Sequence, residues 1–341
     1  MRAAILLHKS LFWLSWPLCG PFACDPEPLS RRRRTEMAGL SVGTYRISRM
    51  RAISNARIYE PDDYKSRVKQ MWSKRAPQYD FKNDFHPPLC EQLVSLADIK
   101  GQAARVLDVA TGTGTVAVSA ACALGPSGTV TAVDVSHEML TQAKTKARDA
   151  GLSIDFIDND IETASFPERS FDCILCSNGM AYLQHPQATL RKFCAWLATG
   201  GVLCFNNPKV PMVPLTDIIR RLVMELFGLH MADAAAVFGT PEAIQDMCTS
   251  AGFEDPVQVT STHELRVYSN ITPTQFAELM FNMMAAFPTN ALDKLLTPEQ
   301  LQQLRDTYMP EATSMAEGMV TEDGSIALHY TMLWARATAT T

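Results

Sequence analysis

The sequence predicts an α/β fold with a mostly parallel sheet, and three observations carry that prediction. In residues 105–118 a short apolar run from Val106 to Val109, which includes Asp108, is followed by Gly112 and Gly114, and Val116 then opens a second apolar run to Leu124. That order is strand, glycine turn, helix, the start of a nucleotide-binding βαβ unit. Residues 128–134 form a second β-rich run that closes on an acid, Asp134. Ser136 then reads as the N-cap of a helix that stops at Gly151.

The bulk numbers fit a globular domain. The chain has 341 residues, 47% hydrophobic and 20% charged, enough for one large domain or two modest ones. Its net charge of −5 is unevenly spread: residues 1–51 hold nine Arg and Lys against three acids, so the rest carries eleven more acids than bases. An acidic body argues against a nucleic-acid partner, which needs a basic face. Nine cysteines lack zinc-ligand spacing. Cys173 and Cys176 make a C-x-x-C, but on an apolar strand, where residues three apart face opposite sides. That argues against a metal or redox pair, and buried thiols suit a reducing compartment.

Residues 1–57 read as a targeting or disordered extension. Their apolar start is too short and interrupted to span a bilayer, and Arg31 to Arg34 form a basic run. Poverty in acids and the Arg and Ser content suit an organellar transit peptide, for chloroplast or mitochondrion. The alternative is an upstream extension with Met37 as initiator and a cytoplasmic protein. Residues 58–208 form the core with its N-terminal helices. Tyr64 to Tyr79 reads as an amphipathic helix, with Val68, Met71 and Trp72 at helical spacing. A second helix around Leu89 to Leu96 leads into the first strand.

Within the glycine turn, Gly112-x-Gly114-x-x-Ala117 would also pass as a dinucleotide fingerprint. Asp108 argues against it, because a carboxylate facing the turn repels a pyrophosphate and suits a cation. Glycine lets the backbone approach a ligand, and the helix start offers N–H groups. Asp134 is placed for ribose hydroxyls, and Met139 reads either as a cover for an adenine face or as core.

These motifs resemble those of the class I S-adenosylmethionine-dependent methyltransferases. Residues 108–114, Asp-Val-Ala-Thr-Gly-Thr-Gly, look like the family's first motif, with Ala110 at its first glycine, and residues 132–139 look like its second. Residues 154–161 and 170–178 resemble the third and fourth strands, and residues 197–205 the fifth with its lead-in, after a helix ending at Gly200-Gly201. The resemblance covers about 60–265 and is nearest to the ubiquinone/menaquinone-type and "methyltransferase type 11" enzymes. It implies a Rossmann-like, seven-stranded, mostly parallel sheet with helices on both faces and a helical lid. It also implies S-adenosyl-L-methionine as cofactor, held by Tyr79, Asp108, Thr111, Gly112, Gly114, Asp134, Val135, Met139, Asp160, Ile161 and Asn178. Tyr79 lies in an Ala-Pro-x-Tyr-Asp piece that in the family covers the cofactor; its other reading is a surface-packed aromatic.

The rest of the chain is read as inserts and closing strands. Residues 209–239 carry the apolar stripe Leu215, Ile218, Ile219, Leu222, Val223 and Leu226 as a helical lid. Residues 240–262 return to the core, with a helix capped by Thr240 and a strand over 257–261. Residues 263–326 form a second helical insert, with helices starting at Thr272-Pro273 and Thr297-Pro298. Residues 327–341 give a final strand, which by resemblance enters antiparallel beside the fifth. Met and Phe in the inserts, among them Met224, Phe227, Met231, Phe238, Met280, Phe281, Met283, Met284 and Phe287, suggest an apolar cavity in which only a few touch substrate.

The function that follows is transfer of methyl to a small, apolar organic acceptor. No catalytic residue is assigned: Tyr182 and His185 in the loop after the fourth strand, and His230 and His263 in the inserts, are the candidates. No metal is expected, nor a transmembrane segment, and oligomeric state is open. The competing readings are a cofactor-binding scaffold without turnover and a nicotinamide-dependent oxidoreductase.

Overall fold

The computed structural model describes residues 63–80, 86–210, 212–231, 234–285, 287 and 292–340. The extension over 1–57 and its targeting role lie outside the described residues. Two helices come first, α1 (Tyr64–Arg75) and α2 (His86–Ala97). The alternating core follows: β1 (Arg105–Val109), α3 (Thr115–Leu124), β2 (Thr129–Asp134), α4 (His137–Asp149), β3 (Asp155–Asp158), β4 (Phe171–Ser177), α5 (Pro186–Trp196) and β5 (Leu197–Pro208). Then come α6 (Pro214–Phe227), α7 (Pro241–Thr249), β6 (Gln258–Tyr268), α8 (Pro273–Ala285), α9 (Leu292–Leu295), α10 (Pro298–Glu317) and β7 (Ile326–Thr338).

The seven strands form one sheet in the order β3-β2-β1-β4-β5-β7-β6. Pairs from β3 across to β5 are parallel, while β7 runs antiparallel to both β5 and β6. Chain order reverses between β1 and β4, so the loops after their carboxyl ends flank a crevice. The interior strands read as near-continuous apolar runs because both faces are covered. Along β1, Val106 and Leu107 enter different cores. Along β4, Cys173 faces the side of Leu93, Ala117 and Trp334, and Cys176 that of Phe193, Phe238 and Leu333. The two thiols are therefore on opposite faces of the sheet, as the strand period requires. No cluster of three metal-ligating side chains occurs among the described residues.

A third core joins α6, α8 and α10 through Ile219, Leu222, Phe276, Phe281, Leu304 and Tyr308. The two inserts read separately from sequence thus share one hydrophobic interior. α10 opens with a capping box, Thr297 with Gln300, and α7 with Thr240 accepting from Ala243 N at 3.1 Å.

Two boundaries differ from the sequence reading. The helix expected to end at Gly200-Gly201 stops at Trp196, because Leu197 already pairs with Phe171 and is buried. The strand expected over 257–261 runs on to Tyr268, so the second helical insert begins after it rather than at 263. The extension is hidden in sequence because its polarity is inverted: Leu265 and Val267 point outward, 54% and 51% exposed, while Arg266 and Tyr268 turn inward.

Candidate functional site

A cavity of about 880 Å³ lies at the carboxyl ends of the parallel strands. That volume is near the top of the ~300–1,000 Å³ range of small-molecule sites. Its walls come from two sources. The loops after β1, β2, β3 and β4 supply one end, and α1, α2, the end of β5 with the segment after it, α6, α8, β6 and Leu328 of β7 supply the rest.

At the first end the chain builds the wall from backbone. Ala110, Gly112 and Gly114 all have positive φ, at 53°, 56° and 82°. Gly112 lines the cavity, and a Cβ added there would meet nothing within 4 Å, so it leaves room for a ligand. Gly114 has a different job. A Cβ there would lie 2.8 Å from Ala143 Cβ and 3.1 Å from its Cα, so this glycine lets α3 pack on α4 and does not line the cavity. The Asp134 carboxylate accepts from Gly112 N and Ser136 N, both at 2.8 Å, and burial raises its pKa. Ser136 in turn caps α4 by accepting from Met139 N, which sets Met139 in the wall.

Asp108 sits beneath this turn rather than in the cavity wall. It is 1% exposed, and its Oδ2 accepts from Thr111 Oγ1 at 2.5 Å. Its Oδ1 is buried without a hydrogen-bond partner. Burial, with a lesser push from the Asp134 charge, raises the carboxyl to about 7 against the pull of the Thr111 bond. The Ala117 N–H at the start of α3 also pulls this carboxyl toward its ionised form.

Asn178, after β4, is a non-glycine residue at φ 54°. Its N–H donates to Asn206 Oδ1 at 2.7 Å, which anchors the strained turn, and its Nδ2 lies 3.4 Å from His86 Nδ1. Glu162 accepts from Gln184 N at 2.8 Å and His185 N at 2.6 Å and pairs with Lys65, so it ties the following loop to α1. Rings close the cavity across three segments: Tyr79 and Tyr182 each meet Trp72 edge-on, and Tyr182 lies 5.6 Å from Phe287.

Of the eleven cofactor residues expected from sequence, Tyr79, Gly112, Asp134, Val135, Met139, Asp160, Ile161 and Asn178 line the cavity. Asp108, Thr111 and Gly114 support it from behind. Among the candidate bases, Tyr182 is in the wall, its hydroxyl raised to about 12 by burial. His185, His230 and His263 are exposed and lie off the wall. His185 contributes its backbone to Glu162, and His263 sits on the outer face of β6 beside Thr331, so neither is aimed at the site. The histidine that lines the cavity is His86, at the start of α2, which no motif in the sequence marks. Its ring stacks on Tyr79 at 5.4 Å, and burial, then the charge of Arg266, bring it down to about 4 against the opposing pull of Asp80. Of the insert residues, Met280, Met283, Met284 and Phe287 reach the cavity, whereas Phe238 and Phe281 are spent on core.

These features fit S-adenosylmethionine. Asp134 suits the ribose and Met139 with Ile161 the adenine, while the Asp108 carboxyl, behind the wall, places negative charge beneath the glycine turn toward the α-ammonium. Residues 106–201 match the methyltransferase-domain family. Aklanonic acid methyltransferase DauC of Streptomyces sp. strain C5 is 30% identical over 49% of this chain and 79% of its own length. The ubiquinone/menaquinone biosynthesis C-methyltransferase UbiE of Laribacter hongkongensis is 27% identical over 56% of this chain and 86% of its own. A crystal structure from Bacillus halodurans C-125, assigned as a methyltransferase, shares the fold at a TM-score of 0.50 and 21% identity, covering 74% of this chain and 99% of that one. The chain belongs to the class I S-adenosylmethionine-dependent methyltransferases. It is an enzyme of that cofactor, and the scaffold and nicotinamide readings fall away. Among the described residues no helix is long and apolar enough to cross a membrane.

Proposed function

We propose that the enzyme methylates a small organic acceptor with a large apolar body, seated in the part of the cavity walled by α6, α8 and the ring of Phe287. The observation that carries this reading is the composition of that wall: Met212, Val213, Leu279, Met280, Met283 and Met284 face a space contiguous with the glycine turn. Flexible thioethers fit irregular apolar surfaces. The names of the UbiE and DauC relatives, both small-molecule methyltransferases, support it.

The bound cofactor supplies a methyl group already activated by its sulfonium. The chain's task is then to align acceptor and methyl and keep water out, worth up to ~7–11 kcal/mol. Gly112, Asp134 and Met139 set one partner, and the Trp72–Tyr182–Phe287 rings shut the other in. Where the acceptor atom must lose a proton, His86 is the group to take it. It is neutral at pH 7 and stands in the wall beside Asn178, whereas the wall tyrosine Tyr182 is held protonated. The inserts act as a lid over this end.

Incubation with methyl-labelled cofactor and a cell extract freed of protein and nucleic acid yields labelled small molecules. Label transferred only when protein or nucleic acid is restored would overturn the reading.

A further inference from the structure

The helices that wall the cavity are not held equally. α2, α6 and α8 each bury five or six side chains, whereas α1 buries two, Tyr64 and Val68. Yet α1 and the turn after it supply a broad part of the wall, with Val68, Trp72, Arg75, Gln78 and Tyr79 all on the cavity. An element with so little burial is the one that opens at least cost.

What holds this segment down is a row of polar ties, one to each of three cofactor loops. Lys65 Nζ lies 3.2 Å from Asp160 and also pairs with Glu162, after β3. Ser73 Oγ lies 3.0 Å from Ser136 Oγ and bonds Glu138, after β2. Asp80, next to Tyr79, meets the glycine turn: its Oδ1 accepts from Thr113 Oγ1 at 2.7 Å, and its Oδ2 lies 3.1 Å from Lys146 Nζ. Lys146, on α4, also donates to Thr115 Oγ1 at 2.9 Å, at the start of α3. On its other side α1 is pinned to the insert, Arg67 to Asp293 at 2.6 Å. Partly exposed ion pairs are individually weak and screened by salt, so a segment held by several is seated and still able to open. Neither Asp80 nor Lys146 lines the cavity. What Asp80 holds in place is its neighbour Tyr79, the wall aromatic that meets Trp72 edge-on and stacks on His86.

We propose that residues 64–80 form a strap over the cofactor and that Asp80 and Lys146 are its latch, two positioning residues that act through Tyr79 and set how fast the cofactor leaves. The strap concerns the cofactor end alone, so it stands or falls apart from the identity of the acceptor. A covering segment that must open before product leaves governs turnover in many enzymes.

The test uses the full chain with labelled S-adenosylmethionine bound and no acceptor, chased with excess S-adenosylhomocysteine. Lys146→Met and Asp80→Ala should each speed release by about fivefold, the upper end for a partly exposed ion pair. The double variant should be no faster than the faster single, because one latch is broken once. Lys146→Arg should stay within about twofold of the unaltered enzyme. Trypsin cleavage after Lys74 and Arg75, read by mass spectrometry, should quicken in both single variants and slow when cofactor saturates the site. In the unaltered enzyme, raising salt from about 50 mM to about 1 M should speed release about twofold or more, and this dependence should flatten in Lys146→Met. Release left within about 1.5-fold by both single changes overturns the latch, as does quicker cleavage without quicker release. Effects that multiply in the double variant overturn the pairing of Asp80 with Lys146. Should neither single variant fold, release from the unaltered enzyme that is indifferent to salt overturns the strap.

Discussion

The two ends of the cavity are built on different principles. The cofactor end is made of backbone and of side chains a few residues apart: Gly112 with Asp134, Asp134 with Ser136, Ser136 with Met139. The acceptor end is made of side chains drawn from α2, α6, α8 and β6; α6, α8 and Tyr268 of β6 meet in the third core, while α2 packs in the second with α3. A backbone cradle demands particular residues at fixed short spacing. A side-chain wall demands only that distant segments meet.

That difference decides what can be read from sequence. Asp108 through Gly114 and Asp134 through Met139 were legible because turn chemistry and capping are local. The sheet was legible too, since its period and its glycine turns repeat. His86 was not: a histidine before two prolines carries no local signal, and it becomes part of the site only when α2 stacks it on Tyr79. Arg266 was hidden by the inverted alternation of β6, and His263 was misread for the same reason. Even within the motif the two glycines look alike in sequence and differ in task.

The largest test is on the acceptor end. If His86 takes the acceptor's proton, His86→Asn should lower kcat by about a hundredfold or more for an acceptor that must deprotonate, with cofactor affinity unchanged. A pKa of about 4 puts the base in its working form above that pH. The acidic limb of kcat/KM, which reports the free enzyme, should therefore fall near pH 4 rather than near the usual histidine value. A limb near ~6.5 would mean another histidine serves.

Next come the glycines, which separate packing from binding inside one motif. Gly114→Ala adds both a clash with Ala143 and strain at φ 82°, and should lower unfolding free energy by about 3 kcal/mol in denaturant titration. Gly112→Ala meets open space, so it should cost only about 1 kcal/mol of stability while weakening S-adenosylhomocysteine about tenfold by calorimetry. Equal effects on stability would erase the distinction.

Asp108 sharpens the comparison through pH. Its folded pKa of about 7 lies above the unfolded ~3.9, so the folded, cofactor-free state holds a proton that the unfolded chain has lost. The stability this contributes is full below about pH 4 and is lost as pH rises through about 7. Asp108→Asn should flatten that part of the stability curve. Cofactor affinity should move the other way in the native enzyme, rising through the same window as the carboxylate ionises to meet the ammonium. The Asn variant should bind more than about tenfold more weakly at neutral pH and without that slope. Isothermal titration showing unchanged affinity would remove Asp108 from the cofactor's ligands.

The smallest expected effect tests where the acceptor end stops. His263 and Arg266 share β6 and lie three residues apart, so the strand period sends them to opposite sides. His263 faces out, with Thr331 Oγ1 3.2 Å from its Nδ1, while Arg266 faces the cavity. His263→Ala should therefore leave kcat and KM within about twofold, as exposed substitutions away from a site do. A tenfold loss of transfer would move the acceptor to the outer face of the edge strand. It would also undo the reason for separating a locally coded cofactor cradle from a wall assembled by the inserts.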